Sequence, residues 1–220
     1  DDIHTMAHLY ESMLKDMRDA AGDSGEFYTP RPVIRFMVQQ VGPQLGEIVS
    51  DPACGTGGFL VEALEELEPK VETTQQLRKL YESLRGVEKK PLPYLLGMMN
   101  LVLHGIEDFE VAREDTLRNP AFTDSSTGGL ATFDCVIANP PFSLKEWGRE
   151  IWENDPWGRA AFGLPPDSYG DYAWVQHMVK SMADVSGRMA VVLPQGALFR
   201  KGVEGSIRQK LLEMDLIETV

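Results

Sequence analysis

The chain has 220 residues, 43% hydrophobic and 25% charged, a composition that predicts a soluble globular protein of one domain, or one domain with an appendage. No apolar run approaches the roughly 18 residues of a membrane span, and Cys54 and Cys135 suggest no disulfide framework, so a reducing cytoplasm is the default expectation. The formal charge of −13 argues against a domain that grips nucleic acid alone through a basic face. Either the substrate is no nucleic acid, or another domain or subunit supplies most of the phosphate contacts.

The chain opens Asp1-Asp2-Ile3, without an initiator Met or a signal peptide, and closes on Asp215 to Val220, which has the pattern of a strand cut short. The expectation is a piece of a longer protein, truncated at both ends: an N-terminal helix within residues 1–24, leading into a core domain over 25–220. Ile3, Met6, Leu9, Tyr10, Met13, Leu14 and Met17 form one helical stripe over 3–19. His4 and His8 have the i, i+4 spacing of a metal clamp, but with no acid or cysteine cluster nearby they are expected to be surface residues. A break at Ala21 to Gly25 precedes Glu26-Phe27-Tyr28-Thr29-Pro30-Arg31. A helix follows, with Pro32 in its first turn, Thr29 as its expected N-cap and Val33, Ile34, Phe36, Met37 and Val41 as its apolar face.

Gly46 to Asp51 is predicted as a strand running into Pro52-Ala53-Cys54-Gly55-Thr56-Gly57-Gly58 and then a helix, Phe59 to Leu67. Strand, glycine loop and helix in that order are the setting of a nucleotide-type site, since glycine lets backbone approach a ligand closely. The Gly-Lys-Ser/Thr ending of a phosphate loop is missing. A polar helix is predicted over 70–85, a weak second strand ending at Gly86-Val87-Glu88, and a largely buried helix from Pro93 to Ile106 stopped by Gly105. A third strand over Phe109 to Ala112 leads to Glu114 and Asp115, and a loop over 119–131 follows.

Residues 143–170 carry Trp147, Trp152 and Trp157 with little regular pattern, either as platforms for bases or as anchors pinning a long loop. A helix over Tyr172 to Val185, a buried strand over Met189 to Leu193, and a helix from Val203 to Met214 complete the chain. The alternation predicts a doubly wound, mostly parallel α/β sheet with helices on both faces.

Phe133 to Ala138 is an apolar run that stops at Asn139-Pro140-Pro141-Phe142. A short apolar run bounded by breakers is expected as a strand buried on both faces. The prolines lack the N–H that would continue the ladder, and they hold Asn139 extended. The outcome is either a plain strand-ending turn or a stiff platform whose amide and free carbonyls suit holding a planar NH2 group by both hydrogens.

The Asp51 to Phe59 loop followed by Asn139-Pro140-Pro141-Phe142 resembles the S-adenosylmethionine-dependent amino-methyltransferases. Within them the chain resembles the modification (M) subunit of type I restriction-modification systems, of the N6-adenine DNA methyltransferase family. Further matches are Glu26 to Arg31, Gly163-Leu164-Pro165-Pro166 leading into Asp171 to Met178, and Gly187 to Pro194, so the resemblance runs from about residue 25 to the end. It implies a class I, Rossmann-like methyltransferase fold, S-adenosyl-L-methionine as cofactor, and a methyl group delivered directly to adenine N6 with no covalent enzyme intermediate and no metal.

By the same resemblance, Asn139 and Pro140 would hold the amine with Pro141 stiffening the turn, and Phe142 would stack on a flipped adenine of double-stranded DNA. Glu26, Phe27, Tyr28, Thr29, Pro30 and Arg31 would surround the methionine end of the cofactor. Asp51 and the backbone from Ala53 through Cys54, Gly55 and Thr56 to Gly57 would hold its amino acid portion. Glu88 would take the ribose hydroxyls, and Asp115 would approach the adenine amine. Cys54 has no nucleophile's place. Implied partners are a specificity subunit, a restriction subunit and a second M subunit, in the cytoplasm. Methyl transfer to a protein glutamine or to RNA, and an inactive assembly subunit, are the rival readings.

Overall fold

The computed structural model describes residues 5, 6, 9, 10, 12–14, 16, 28–106 and 108–220. His4, His8, the break at Ala21 to Gly25, Glu26 and Phe27 lie outside the described residues. The described positions between 5 and 16 are helical, as the stripe predicts, and the Tyr10 hydroxyl donates to the Leu96 carbonyl at 2.9 Å.

Strands β1 (Val49–Asp51), β2 (Leu84–Val87), β3 (Glu110–Ala112), β4 (Cys135–Ala138) and β5 (Arg188–Val191) form one parallel sheet in the order β3-β2-β1-β4-β5. Val49 lies opposite both Leu84 and Cys135. The chain therefore builds outward from β1 to β3, then returns to β1's other flank as β4. That reversal leaves a crevice beyond the carboxyl ends of β1 and β4, where open α/β sheets place ligands.

The helices are α1 (Arg31–Val41), α2 (Gly58–Leu67), α3 (Thr74–Glu82), α4 (Pro91–Leu103), α5 (Arg149–Trp152), α6 (Asp171–Lys180), α7 (Gly196–Phe199) and α8 (Val203–Glu213). Side chains of β4 alternate between the two faces with the period of two that a strand dictates. Cys135 and Ile137 join the core formed with α1 to α4, among Ile34, Val38, Leu60, Leu64 and Leu101. Val136 and Ala138 pack with Met178 of α6 on the opposite face. Beside them Tyr172 and Val175 of α6 meet Ala197, Ile207 and Leu211 of α7 and α8. This is the doubly wound sheet with helices on both faces.

Several boundaries differ from expectation. Helix α6 stops at Lys180 rather than Val185, because the next residues turn their backbone to Phe133: Phe133 N–H donates to Ser181 and Ala183 N–H donates to Phe133, at 2.8 and 2.9 Å. Strand β5 is half-buried rather than buried, since it forms the edge of the described sheet. Residues 216–220 carry no regular structure; a strand needs a ladder partner, and β5 pairs only with β4 among the described residues. Helix α4 buries only the face carrying Pro93, Gly97, Asn100 and Leu101, while Leu92, Leu95, Met99 and Val102 point outward. The small, polar side of α4 is the one laid against the glycine loop.

Candidate active site

Asp51 ends β1 and is followed by a loop whose shape depends on glycine. Gly57, at φ +80°, caps α2 in a backbone conformation that a side chain would strain. A second glycine, Gly97 on α4, admits the loop: a Cβ there would sit 2.9 Å from the Gly55 carbonyl. From below, Cys54 N–H donates to the Val87 carbonyl at 2.9 Å, and Gly55 N–H donates to Glu88 Oε2 at 3.0 Å. Asn100 Nδ2 donates to the Thr56 carbonyl at 2.9 Å. The loop is thus fixed from β2 and α4 at once.

This loop, the carboxyl ends of β1 and β2, and the turn after β4 enclose a cavity of about 330 Å³. Of the expected site residues, Tyr28, Thr29, Arg31, Asp51, Ala53, Cys54, Gly55, Thr56, Glu88, Asp115, Asn139, Pro141 and Phe142 line it. Pro30, Gly57 and Pro140 are not among the lining residues. Pro30 begins α1 and accepts from Val33 and Ile34, Gly57 caps α2, and Pro140 is buried.

Asp51 is buried, and its Oδ1 accepts from Ala53 N–H at 3.0 Å. Burial pushes its carboxyl up to about 8; the Ala53 N–H opposes this, and the charge of Glu88 adds to it. Both oxygens of Glu88 already hold backbone N–H groups, Oε2 that of Gly55 and Oε1 that of Lys90 at 2.6 Å. Asp115 is paired with Lys89 at 2.8 Å across the gap between the ends of β2 and β3. Arg31 reaches Glu62 of α2 at 3.0 Å. Both cysteines are free and buried, and burial raises the Cys54 thiol well above its ordinary range and Cys135 to about 12, which leaves neither as a nucleophile.

Thr29 is not the cap of α1. That place falls to Pro30, in extended backbone, and the Thr29 hydroxyl instead accepts a hydrogen bond from Asn139 Nδ2 at 3.0 Å. Asn139 Oδ1 is buried with no partner among the described residues, and the Pro140 carbonyl takes no backbone N–H. Phe142 projects beside them, half exposed. Behind it, Ser143 N–H donates to Asp171 Oδ1 at 2.8 Å, and Arg200 closes an ion pair on the other oxygen of Asp171.

Two further lining residues escaped the sequence reading. Asn100 Oδ1 and Trp174 Nε1 are buried beside the cavity with no partner among the described residues, an acceptor and a donor open to a ligand. Asn100 had a signal, as the one amide within the apolar run Leu95 to Leu103; Trp174 was indistinguishable from a core aromatic.

The tryptophan loop resolves toward anchoring. Trp147 and Trp152 are buried edge to face, ring centroids 5.2 Å apart, donating to the Pro166 and Leu117 carbonyls. Arg159, buried and paired with Asp155 at 2.7 Å, lies 4.3 Å from the Trp152 ring and 4.9 Å from that of Trp157. Neither Trp147 nor Trp152 presents a face for a base.

A family model described as N-6 DNA Methylase matches residues 1–220. The methylase subunit of the type I restriction enzyme EcoEI of Escherichia coli is 39% identical over 99% of this chain and 42% of its own length. A solved modification subunit assigned to a type I restriction enzyme of Vibrio vulnificus YJ016 is 45% identical, with a TM-score of 0.77 over 95% of this chain and 43% of its own. A structure from work on assembly and conformational transition of the type I R-M system gives 39% identity and a TM-score of 0.82, covering 96% of this chain and 41% of its own. The chain spans about two fifths of the length of these relatives.

Proposed function

Because the chain belongs to the N-6 DNA methylase family, we propose that it is the methyl-transferring part of a type I modification subunit, acting on adenine N6 in double-stranded DNA with S-adenosyl-L-methionine. The observation that carries this reading is the buried Oδ1 of Asn139, without a partner among the described residues, at the lip of a cavity backed by a glycine loop.

The cavity suits the cofactor. It offers a buried carboxyl at Asp51, a backbone at Gly55 that a ligand can approach without meeting a side chain, and two polar atoms, Asn100 Oδ1 and Trp174 Nε1, that have no partner among the described residues. When bound, the cofactor supplies a methyl group on a sulfonium centre. Tyr28, Asp51 and the glycine loop would hold its amino acid end, Glu88 would take the ribose hydroxyls, and Asp115 would approach the adenine amine.

The protein's share is to present the amine. Adenine N6 is a poor nucleophile because its lone pair is delocalised into the ring. When Asn139 Oδ1 and the Pro140 carbonyl each accept one N6 hydrogen, the nitrogen is drawn toward tetrahedral geometry and its lone pair localises. These acceptors are fixed before the substrate arrives, so no reorganisation accompanies the reaction. Phe142 offers a ring face for the base. A base within a duplex cannot reach this turn, so the target must be flipped out.

The charge of −13 fits a catalytic part whose phosphate contacts come from a specificity subunit, a restriction subunit and a second modification subunit. The buried free cysteines fit the cytoplasm. Incubating the complete enzyme with methyl-labelled cofactor and DNA, RNA or protein, then digesting the product, tests the reading: label is expected in N6-methyladenine of DNA. Label in glutamine or RNA alone contradicts it.

A further inference from the structure

Phe142 is to meet the target base, yet no core packing holds its ring. The side chain is 49% exposed and joins none of the apolar clusters of the described residues. An aromatic that packing does not fix takes its place from the backbone. That backbone is strained: Ser143, directly after Phe142, sits at φ +51°, a left-handed conformation that residues with a side chain rarely adopt. Such strain persists only where the surrounding structure holds it.

The holder is the start of α6. Asp171 Oδ1 accepts from Ser143 N–H at 2.8 Å, which fixes the peptide between Phe142 and Ser143, and Gly170 N–H donates to the Leu144 carbonyl at 2.9 Å. Asp171 is 1% exposed, and a charge so buried needs a partner. Arg200 pairs with its other oxygen, and is itself aimed by Glu204 at 2.6 Å and by the Tyr169 ring, 4.4 Å from its guanidinium. Neither Asp171 nor Arg200 lines the cavity.

We infer that Asp171, aimed by Arg200, is a positioning residue that holds Ser143 in its left-handed conformation and so sets the Phe142 ring where an extruded base stacks. The inference rests on the reading of Phe142 as the platform for that base.

The test measures kcat for methyl transfer by the complete modification enzyme with saturating cofactor and DNA. Asp171→Asn keeps the size of the side chain, but its one oxygen cannot serve both Ser143 N–H and Arg200, so an NH2 meets one donor whichever way it turns. A fall in kcat of about 5- to 30-fold is expected, the loss of population that an untethered left-handed residue implies. Phe142→Ala lowers kcat by itself, and adding Asp171→Asn to it is expected to lower kcat by less than about twofold more, because both act through one ring. Glycine takes positive φ freely, so in a Ser143→Gly background the effect of Asp171→Asn is expected to shrink to less than about threefold. Ser143→Pro, at a half-exposed position, removes the N–H and forbids positive φ without touching buried Asp171, and should lower kcat further than Asp171→Asn does. Wild-type kcat in Asp171→Asn or in Ser143→Pro overturns the inference. So does a loss of one size in all three backgrounds, the mark of a residue that only supports the fold. Wild-type kcat in Phe142→Ala contradicts the reading of the platform itself, a different result from an impaired Phe142→Ala beside an unaffected Asp171→Asn.

Discussion

Asp51 and Asn139 end adjacent strands, yet their environments ask different things of them. Asp51 is buried beside Glu88 with one N–H for compensation, so its carboxyl titrates near 8 in the free protein instead of near 3.8. A raised folded-state value means that folding takes up a proton between those limits. The stabilising contribution is complete below about 3.8 and disappears as pH rises through about 8. Melting temperature of the cofactor-free protein is therefore expected to fall across that window. Asp51→Asn keeps an acceptor for Ala53 and flattens the profile, at the cost of cofactor affinity; an unchanged pH slope in this variant contradicts the assignment. His177 shows the opposite sign. Burial holds its imidazole down to about 3, so the stability it contributes is present above about 6.5 and lost as pH falls toward 3.

At the scale of elements, the site depends on close approach and on anchoring. Gly97→Ala places a methyl group against the Gly55 carbonyl, with backbone on both sides and little room to yield. A cost of about 1–3 kcal/mol in urea denaturation is expected, along with weakened cofactor binding. Trp152→Ala removes an aromatic buried among Trp147, Arg159 and the Leu117 carbonyl, and should cost about 3–5 kcal/mol. Trp157→Ala, at a half-buried ring on the outer side of Arg159, should cost clearly less, and equal losses would contradict the anchoring account. The elements themselves were largely legible, because periodicity, prolines and glycines act locally. The glycine loop and the Asn-Pro-Pro-Phe turn carried their signatures within ten residues. Thr29 was misplaced because its partner is 110 residues away. Local spacing offered a helix cap, and Pro30 took that place. Helix α4 was expected to be largely buried because apolar residues surround it, yet hydrophobicity alone does not say which face meets the core.

For the whole molecule, the order β3-β2-β1-β4-β5 brings the glycine loop and the Asn139 turn to one crevice, although 82 residues separate Gly57 from Asn139. The acidic surface then predicts that this chain alone binds duplex DNA weakly; tight, salt-sensitive binding by the isolated chain contradicts a division of labour among subunits. The central claim, that the Asn139 amide holds the reacting amine, is met most directly by Asn139→Ala in the complete enzyme, with methyl transfer to DNA and cofactor affinity measured side by side. The account predicts transfer below detection with a cofactor Kd within about threefold of wild type. Near-wild-type transfer would contradict it.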